Sequence, residues 1–301
     1  MSIQKFIPTP KFDEYKDIFK DHYKLERRAD GVLLVQAHTA GGSIQLSVQN
    51  HRSLGQLFKT IGQDPENKLM IFTGSGDDFM MTADPDGFAL EAEDPQYWSY
   101  EYAFKDCRIN ITSPIFDLDI PTIGVLNGPG LHTEICLMCD ISICAEHAVI
   151  FDPHFDAGWV PGDGINLCFR ELLGAKRAAF ALLTSQSIDA KRALEWGMVN
   201  EVHPKEKLLE RAYQIADHIM KQHRMTRRLT TAVVRRPWKE RVTNDLDTGI
   251  GIQMFSYLAK ASHHHTKEHF ESVNSQKVPA KSAKSAKDVK GAKGTKGVKR
   301  K

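Results

Sequence analysis

Short apolar runs set beside glycine turns constrain this chain more than any other feature in it. GVLLVQAHT (31–39) follows a glycine turn and reads as a buried strand. KLMIFTG (68–74) is a second, running into the glycine-containing loop GSGDDFMMTADPDGF (74–88). PTIGVLN (121–127) is a third, followed by GPGLHTE. DISICAE (140–146) and AVIF (148–151) read as short further strands. Between the first two, SVQNHRSLGQLFKTI (47–61) has apolar residues at helical spacing. From Gly164 onward the periodicity is helical almost throughout, as in DAKRALEWG and KEKLLERAYQIADHIMKQ. Strands alternate with helices early and helices dominate late, which predicts an α/β fold with a helical C-terminal part.

At 301 residues the chain has room for two domains, or for one larger α/β domain with an appendage. No apolar run approaches the roughly 18 residues of a membrane-spanning helix. The first residues, MSIQKFIPTPKFDEYKDIF, lack the apolar stretch of a secretory signal. Five cysteines, an odd number, read as reduced and mostly buried thiols. These features predict a cytoplasmic or organellar-matrix protein. The overall charge of +2 hides an asymmetry. Residues 277–301 hold nine lysines and one arginine against one aspartate, a charge of +9, which leaves −7 for everything before them. A basic nucleic-acid-binding face on the body is therefore not supported. The lysines recur every third residue among Ala, Ser, Gly and Val, a spacing that suits neither a helix face nor a strand. The sequence predicts a disordered tail capable of weak, salt-sensitive polyanion binding.

Three groups of residues carry candidate chemistry. Backbone amides in glycine loops at strand ends can bind a developing oxyanion. DPHFDAGWVPGDG (152–164) contains His154 and, nine residues later, Asp163. A histidine paired with a carboxylate makes water nucleophilic near neutral pH. The competing interpretation is a loop histidine and a helix-capping aspartate. His132 and Glu134 enter the apolar stretch TEICLMC, where ionisable groups are costly unless they are satisfied or functional; an exposed helix N-terminus is the alternative. Cys136 and Cys139 have metal-like spacing but sit in an apolar run and read as core thiols. His263, His264, His265 and His269 lie among charged residues and read as a solvated helix face. Tyr97, Trp98, Tyr100 and Tyr102 either line a pocket or fill the core.

Taken in order, these loops resemble the crotonase (enoyl-CoA hydratase/isomerase) superfamily over roughly residues 25–240. IFTGSGDDFMMTADPDGF, PTIGVLNGPGLHTEICLMCDISICAE, VIFDPHFDAGWVPGDG and LLGAKRAAFALLTSQSIDAKRALEWGMVNEVHPKEKLLERA carry the resemblance. It implies a spiral core of strand–strand–helix units over 25–203, with an N-terminal extension over 1–24. A helical, trimer-forming region would span 204–276, ahead of the tail at 277–301. It also implies a homotrimer or dimer of trimers. The family's two oxyanion-hole N–H groups fall on Ala83 and Leu131, and one hydratase glutamate falls on Glu134. The other glutamate is replaced by His154, and the small residue of the Pro-Gly turn by Asp163.

That pair of replacements resembles the β-diketone hydrolase branch typified by 6-oxocamphor hydrolase, which also has a histidine matched by His132. A further glutamate of that branch aligns with Gln253. The resemblance implies catalysis by His154, Asp163, His132 and Glu134, with no metal and no organic cofactor. The reaction would be retro-Claisen hydrolysis of a small-molecule diketone. The alternatives are a hydratase or hydrolase of CoA thioesters on the same fold, and a non-catalytic binding protein.

Overall fold

The computed structural model describes residues 8–84 and 98–259. Tyr97, the four late histidines and the lysine-rich tail lie outside these residues, as does the side chain of Trp98. The principal sheet has six strands: β1 (Tyr23–Arg27), β2 (Val32–Ala37), β4 (Leu69–Gly74), β6 (Thr122–Leu126), β7 (Ile141–Ala145) and β10 (Glu201–His203), in that spatial order. β1 pairs antiparallel with β2, and every later pairing is parallel. β3 (Ile44–Leu46) pairs with β5 (Met80–Ala83), and β8 (Val149–Ile150) with β9 (Ile188–Asp189). Single bridges from Gly130 to Met80 and to Ile150 join these two pairs.

The chain thus repeats one unit: a strand in the large sheet, a strand or bridge in the small layer, then a helix. β2 and β3 lead to α2 (Val48–Gln63). β4 and β5 lead to a π-type stretch, Trp98–Asp106, that runs into α3 (Cys107–Phe116). β6 and the Gly130 bridge lead to α4 (Glu134–Leu137), and β7 and β8 to α5 (Ile165–Leu183). This is the spiral core expected from the sequence. Beyond it lie α6 (Ala190–Glu195), α7 (Leu208–Met220), α8 (Arg224–Val234) and α9 (Arg236–Ala259).

Burial explains which strands the sequence revealed. All of β4 and β6 are buried, because parallel strands covered on both faces need continuous apolar sequence. β1, which no apolar run marks in the sequence, is an edge strand. Tyr23 and Leu25 face inward while Lys24 and Glu26 face out, and the Tyr23 hydroxyl donates to the Asn50 carbonyl at 2.9 Å. α1 (Phe12–Ile18) also joins the body, its buried Tyr15 donating to Asp64 at 3.0 Å. All five cysteines are buried and unpaired, as expected of core thiols.

Two close approaches of backbone shape the region around the loops. Gly128 lies against the 75–80 loop so closely that a side chain there would meet the Asp77 carbonyl oxygen at 1.8 Å. Asn127 clamps the same loop, its amide donating to the Ser75, Gly76 and Asp78 carbonyls. α9 crosses the body next to α3 and α5. Its start is fixed by the buried Arg235, which pairs with Asp140 at 2.6 Å and donates to the Ile120 carbonyl at 2.8 Å.

Candidate active site

Three segments converge on one cavity, the end of β5, the turn 127–134 and the loop 151–164, while the later half of α9 lines an adjoining space with His132, His154 and Asp163. The cavity is lined by Leu46, Ala83, Leu131, His132, Glu134, Asp152, His154, Trp159 and Asp163. All six residues singled out from the sequence therefore meet in one place.

The loop 151–164 leaves β8 and returns to α5. His154 is held in it by carboxylates on both sides. Its Nδ1 lies 2.5 Å from Asp152 Oδ1, and its Nε2 lies 3.3 Å from Asp163 Oδ2. Both aspartates are buried. Burial alone would push the imidazole down, but Asp152 and Asp163 outweigh it and hold His154 well above its usual range. Burial alone would raise Asp163, but the His154 cation beside it, with His132 and His51, holds that carboxyl well below the usual carboxylate range. The cap interpretation of Asp163 is not met: the helix begins after Gly164 with no side-chain cap.

The close approach of α9 comes from two glycines. A side chain on Gly162 would meet the Gly249 carbonyl oxygen at 2.1 Å. Gln253 and Tyr257, one and two turns beyond Gly249, are thereby set over His154. The Gln253 Oε1 accepts the Gly162 N–H at 3.1 Å. That fixes the amide so that its Nε2 faces His154 Nε2 at 3.2 Å and the Tyr257 oxygen at 3.2 Å. At the position where the resemblance has a glutamate, the site holds an amide in direct contact with the histidine.

On the opposite side, His132 Nδ1 lies 2.8 Å from Glu134 Oε1. His132 has a left-handed backbone, φ 49°, which is costly for a residue with a side chain and marks a constrained site. Burial would lower His132, but the charge and hydrogen bond of Glu134 raise it. Burial raises Glu134, against the pull of His132, so the pair holds its proton tightly. Behind them, His51 is pushed down to about 3 by burial and by His132, and is a neutral imidazole. Its Nε2 lies 3.6 Å from the Cys107 sulfur. Among the described residues, Glu134 Oε2, Asp152 Oδ2, Asp163 Oδ1 and His51 Nδ1 are buried without a hydrogen-bond partner. Buried polar atoms left in this state are costly, and they lie around this cavity and the adjoining space that His51 lines.

Two backbone donors are expected here, at Ala83 and Leu131. Ala83 ends β5 and lines the cavity. The Leu131 N–H donates to the Met80 carbonyl at 2.6 Å, an extension of the bridge between Gly130 and Met80. The expected donor role of Leu131 is not met in this arrangement, because the small strand layer takes up its hydrogen. Sequence reasoning also missed Asp152 and His51. Asp152 carried a signal: a carboxylate two residues before a histidine, across a proline, in a loop. His51 carried none, since it sits within an amphipathic helix.

Comparisons of sequence and structure with known proteins find the following likenesses. The profile of the enoyl-CoA hydratase/isomerase family matches residues 29–277. Carnitinyl-CoA dehydratase of Citrobacter koseri is 31% identical over 169 residues, 56% of this chain and 63% of that protein. Its Salmonella typhi counterpart is 31% identical over 170 residues, again 56% and 63%. The chain thus spans less than two thirds of these curated relatives. A β-diketone hydrolase from the cyanobacterium Anabaena sp. PCC 7120, solved bound to (S)-3-oxocyclohexyl acetic acid, superposes with a TM-score of 0.78. It is 29% identical and covers 85% of this chain and 100% of its own. An enoyl-CoA hydratase/isomerase from Mycobacterium paratuberculosis gives 0.74 at 20% identity, covering 88% and 100%, a likeness of fold alone.

Proposed function

The chain belongs to the enoyl-CoA hydratase/isomerase family, and from that premise we propose that its site hydrolyses a carbon–carbon bond of a β-diketone. The observation that carries this reading is His154. Where the resemblance has a hydratase glutamate, this site has an imidazole between two buried carboxylates. His154 Nε2 takes a proton from water as the water oxygen attacks one carbonyl carbon. The alkoxide so formed is met by the raised His132 imidazole, which lines the cavity beside Ala83. On collapse, the bond to the carbon between the two carbonyls breaks. Its electron pair leaves as the enolate of the second carbonyl. A proton from His154, or from the His132–Glu134 pair, returns to that carbon and gives a keto acid. Water is the only co-reactant and no electrons change hands, so the chemistry calls for no metal or organic cofactor.

The structural likeness to a β-diketone hydrolase supports this reading. The test is a panel of cyclic and bicyclic β-diketones, followed by loss of dione and appearance of keto acid, with and without a chelator. At least one dione should be cleaved, at a rate the chelator leaves unchanged. Hydration of an enoyl-CoA with no dione cleaved would overturn the reading. It would favour a hydratase or hydrolase of CoA thioesters, which the buried Glu134 carboxylate and the carnitinyl-CoA dehydratase relatives support. We also propose a trimeric assembly: Met225, Leu229, Val233 and Phe255 leave apolar surface exposed on α8 and α9.

A further inference from the structure

We propose that Asp152 is the positioning residue of this site, holding His154 through Nδ1 so that Nε2 alone serves the cavity. The inference rests on the reading of His154 as the group that activates water. Asp152 Oδ1 meets two groups of the same residue: the His154 backbone N–H at 3.0 Å and the ring Nδ1 at 2.5 Å. One oxygen gripping both backbone and ring fixes where the ring sits and which way it faces. Pro153 between them locks the intervening backbone. Asp152 itself lies just beyond β8, so the grip is anchored to the strand layer.

The consequence is a division of roles. An imidazole whose Nδ1–H is given to a carboxylate is held in one tautomer, and its other nitrogen carries the lone pair. Here that nitrogen is Nε2, and it faces Asp163 Oδ2 and the Gln253 amide. The spacing of His154 and Asp163 in the sequence suggests that Asp163 orients the ring. The geometry gives that task to Asp152 and sets Asp163 on the side where the proton arrives. There its negative charge stabilises the imidazolium once water has been deprotonated. Tyr257, Trp159 and, farther across the cavity, His132 and Glu134 complete the surroundings of the ring.

Asp152→Asn separates position from charge, because the amide oxygen can still accept from both His154 hydrogens. NMR of the ¹⁵N-labelled histidine ring is the direct measurement. In the wild-type protein the neutral ring should be the Nδ1–H tautomer. In Asp152→Asn the ring should titrate at least about one pH unit lower, since one of its two anions is gone. The rate plateau should fall at least about tenfold with KM little changed, and the acidic limb of the profile should move to lower pH. An Nε2–H tautomer in the wild type would overturn the proposal without any variant. So would a folded Asp152→Asn whose His154 titrates as before. The ring measurement needs no substrate. A protein that cleaves no dione yet shows the Nδ1–H tautomer and the shifted titration would retire the diketone reading and leave the role of Asp152 standing.

Discussion

The cavity sets two histidine–carboxylate pairs against each other, and both are built on the same local spacing. Asp152 precedes His154 by two residues, and Glu134 follows His132 by two. What differs is the count of acids. His132 has one carboxylate, so the pair is close to neutral and burial raises its glutamate. His154 has a second, Asp163, brought from nine residues further on by the loop that turns back under α9. That surplus acid holds His154 well above its usual range while Asp163 is held low. Identical spacing therefore yields one side that, once its ring is neutral, is the stronger base toward water, and one suited to keeping or returning a proton. Local sequence sets each grip, and the longer loop decides the chemistry.

The largest effects should come from removing each pair in turn. With a cleavable dione, His154→Ala and Asp163→Asn should each lower kcat at least about 10²-fold with the fold intact. The double variant should cost little more than the worse single one, because the two act as a unit. Glu134→Gln on the opposite side should cost less, on the order of tenfold, since proton return has more than one donor within reach. Fully additive losses at His154 and Asp163 would dissolve the unit. A larger loss at Glu134 than at His154 would invert the assignment of the two sides.

A smaller effect tests the surplus of acid directly. Gln253 presents an amide N–H to His154 Nε2, and such a donor favours the neutral ring. Gln253→Glu would set a third carboxylate there, with the Gly162 N–H still accepted by one oxygen. The added charge should raise the His154 pKa. A base works when neutral, so the acidic limb of the rate profile should move to higher pH, by about one unit, and the rate at a fixed pH on that limb should fall about tenfold. An unmoved limb would mean that residue 253 does not face the ring in the working enzyme.

The fold and most of the site were legible in the sequence for reasons that can be named. β2, β4 and β6 are buried on both faces and so read as unbroken apolar runs. The Gly and Pro positions of the loops 127–131 and 158–164 mark where backbone must approach backbone. β1 was illegible as a strand because only Tyr23 and Leu25 face inward. His51 was illegible because a polar residue on a helix looks alike whether it faces solvent or a cavity. The Leu131 donor failed for a geometric reason: its hydrogen bond to Met80 depends on the fit of a short turn against β5, and no residue type encodes that fit. Asp152 was visible, but the sequence shows only spacing, and spacing alone does not distinguish which of two aspartates meets Nδ1.

The smallest expected effect concerns the charge outside the described residues. The two pairs differ through acids that all lie within 127–164, so their asymmetry should be intrinsic to the body. Residues 277–301 carry +9 against −7 for the rest of the chain. A charge of that size near the cavity would stabilise its carboxylates and lower the His154 pKa, moving the acidic limb to lower pH. Deleting 277–301 should leave melting temperature, kcat and that limb unchanged, since the tail has almost no large apolar residue to contribute to a core. What deletion should alter is elution from heparin at low salt: the full chain held back, the truncated one not, and the two alike at high salt. If the acidic limb instead moves to higher pH on deletion at low salt, the tail reaches the site. The contrast between the two histidines would then belong to the whole chain and not to its loops alone.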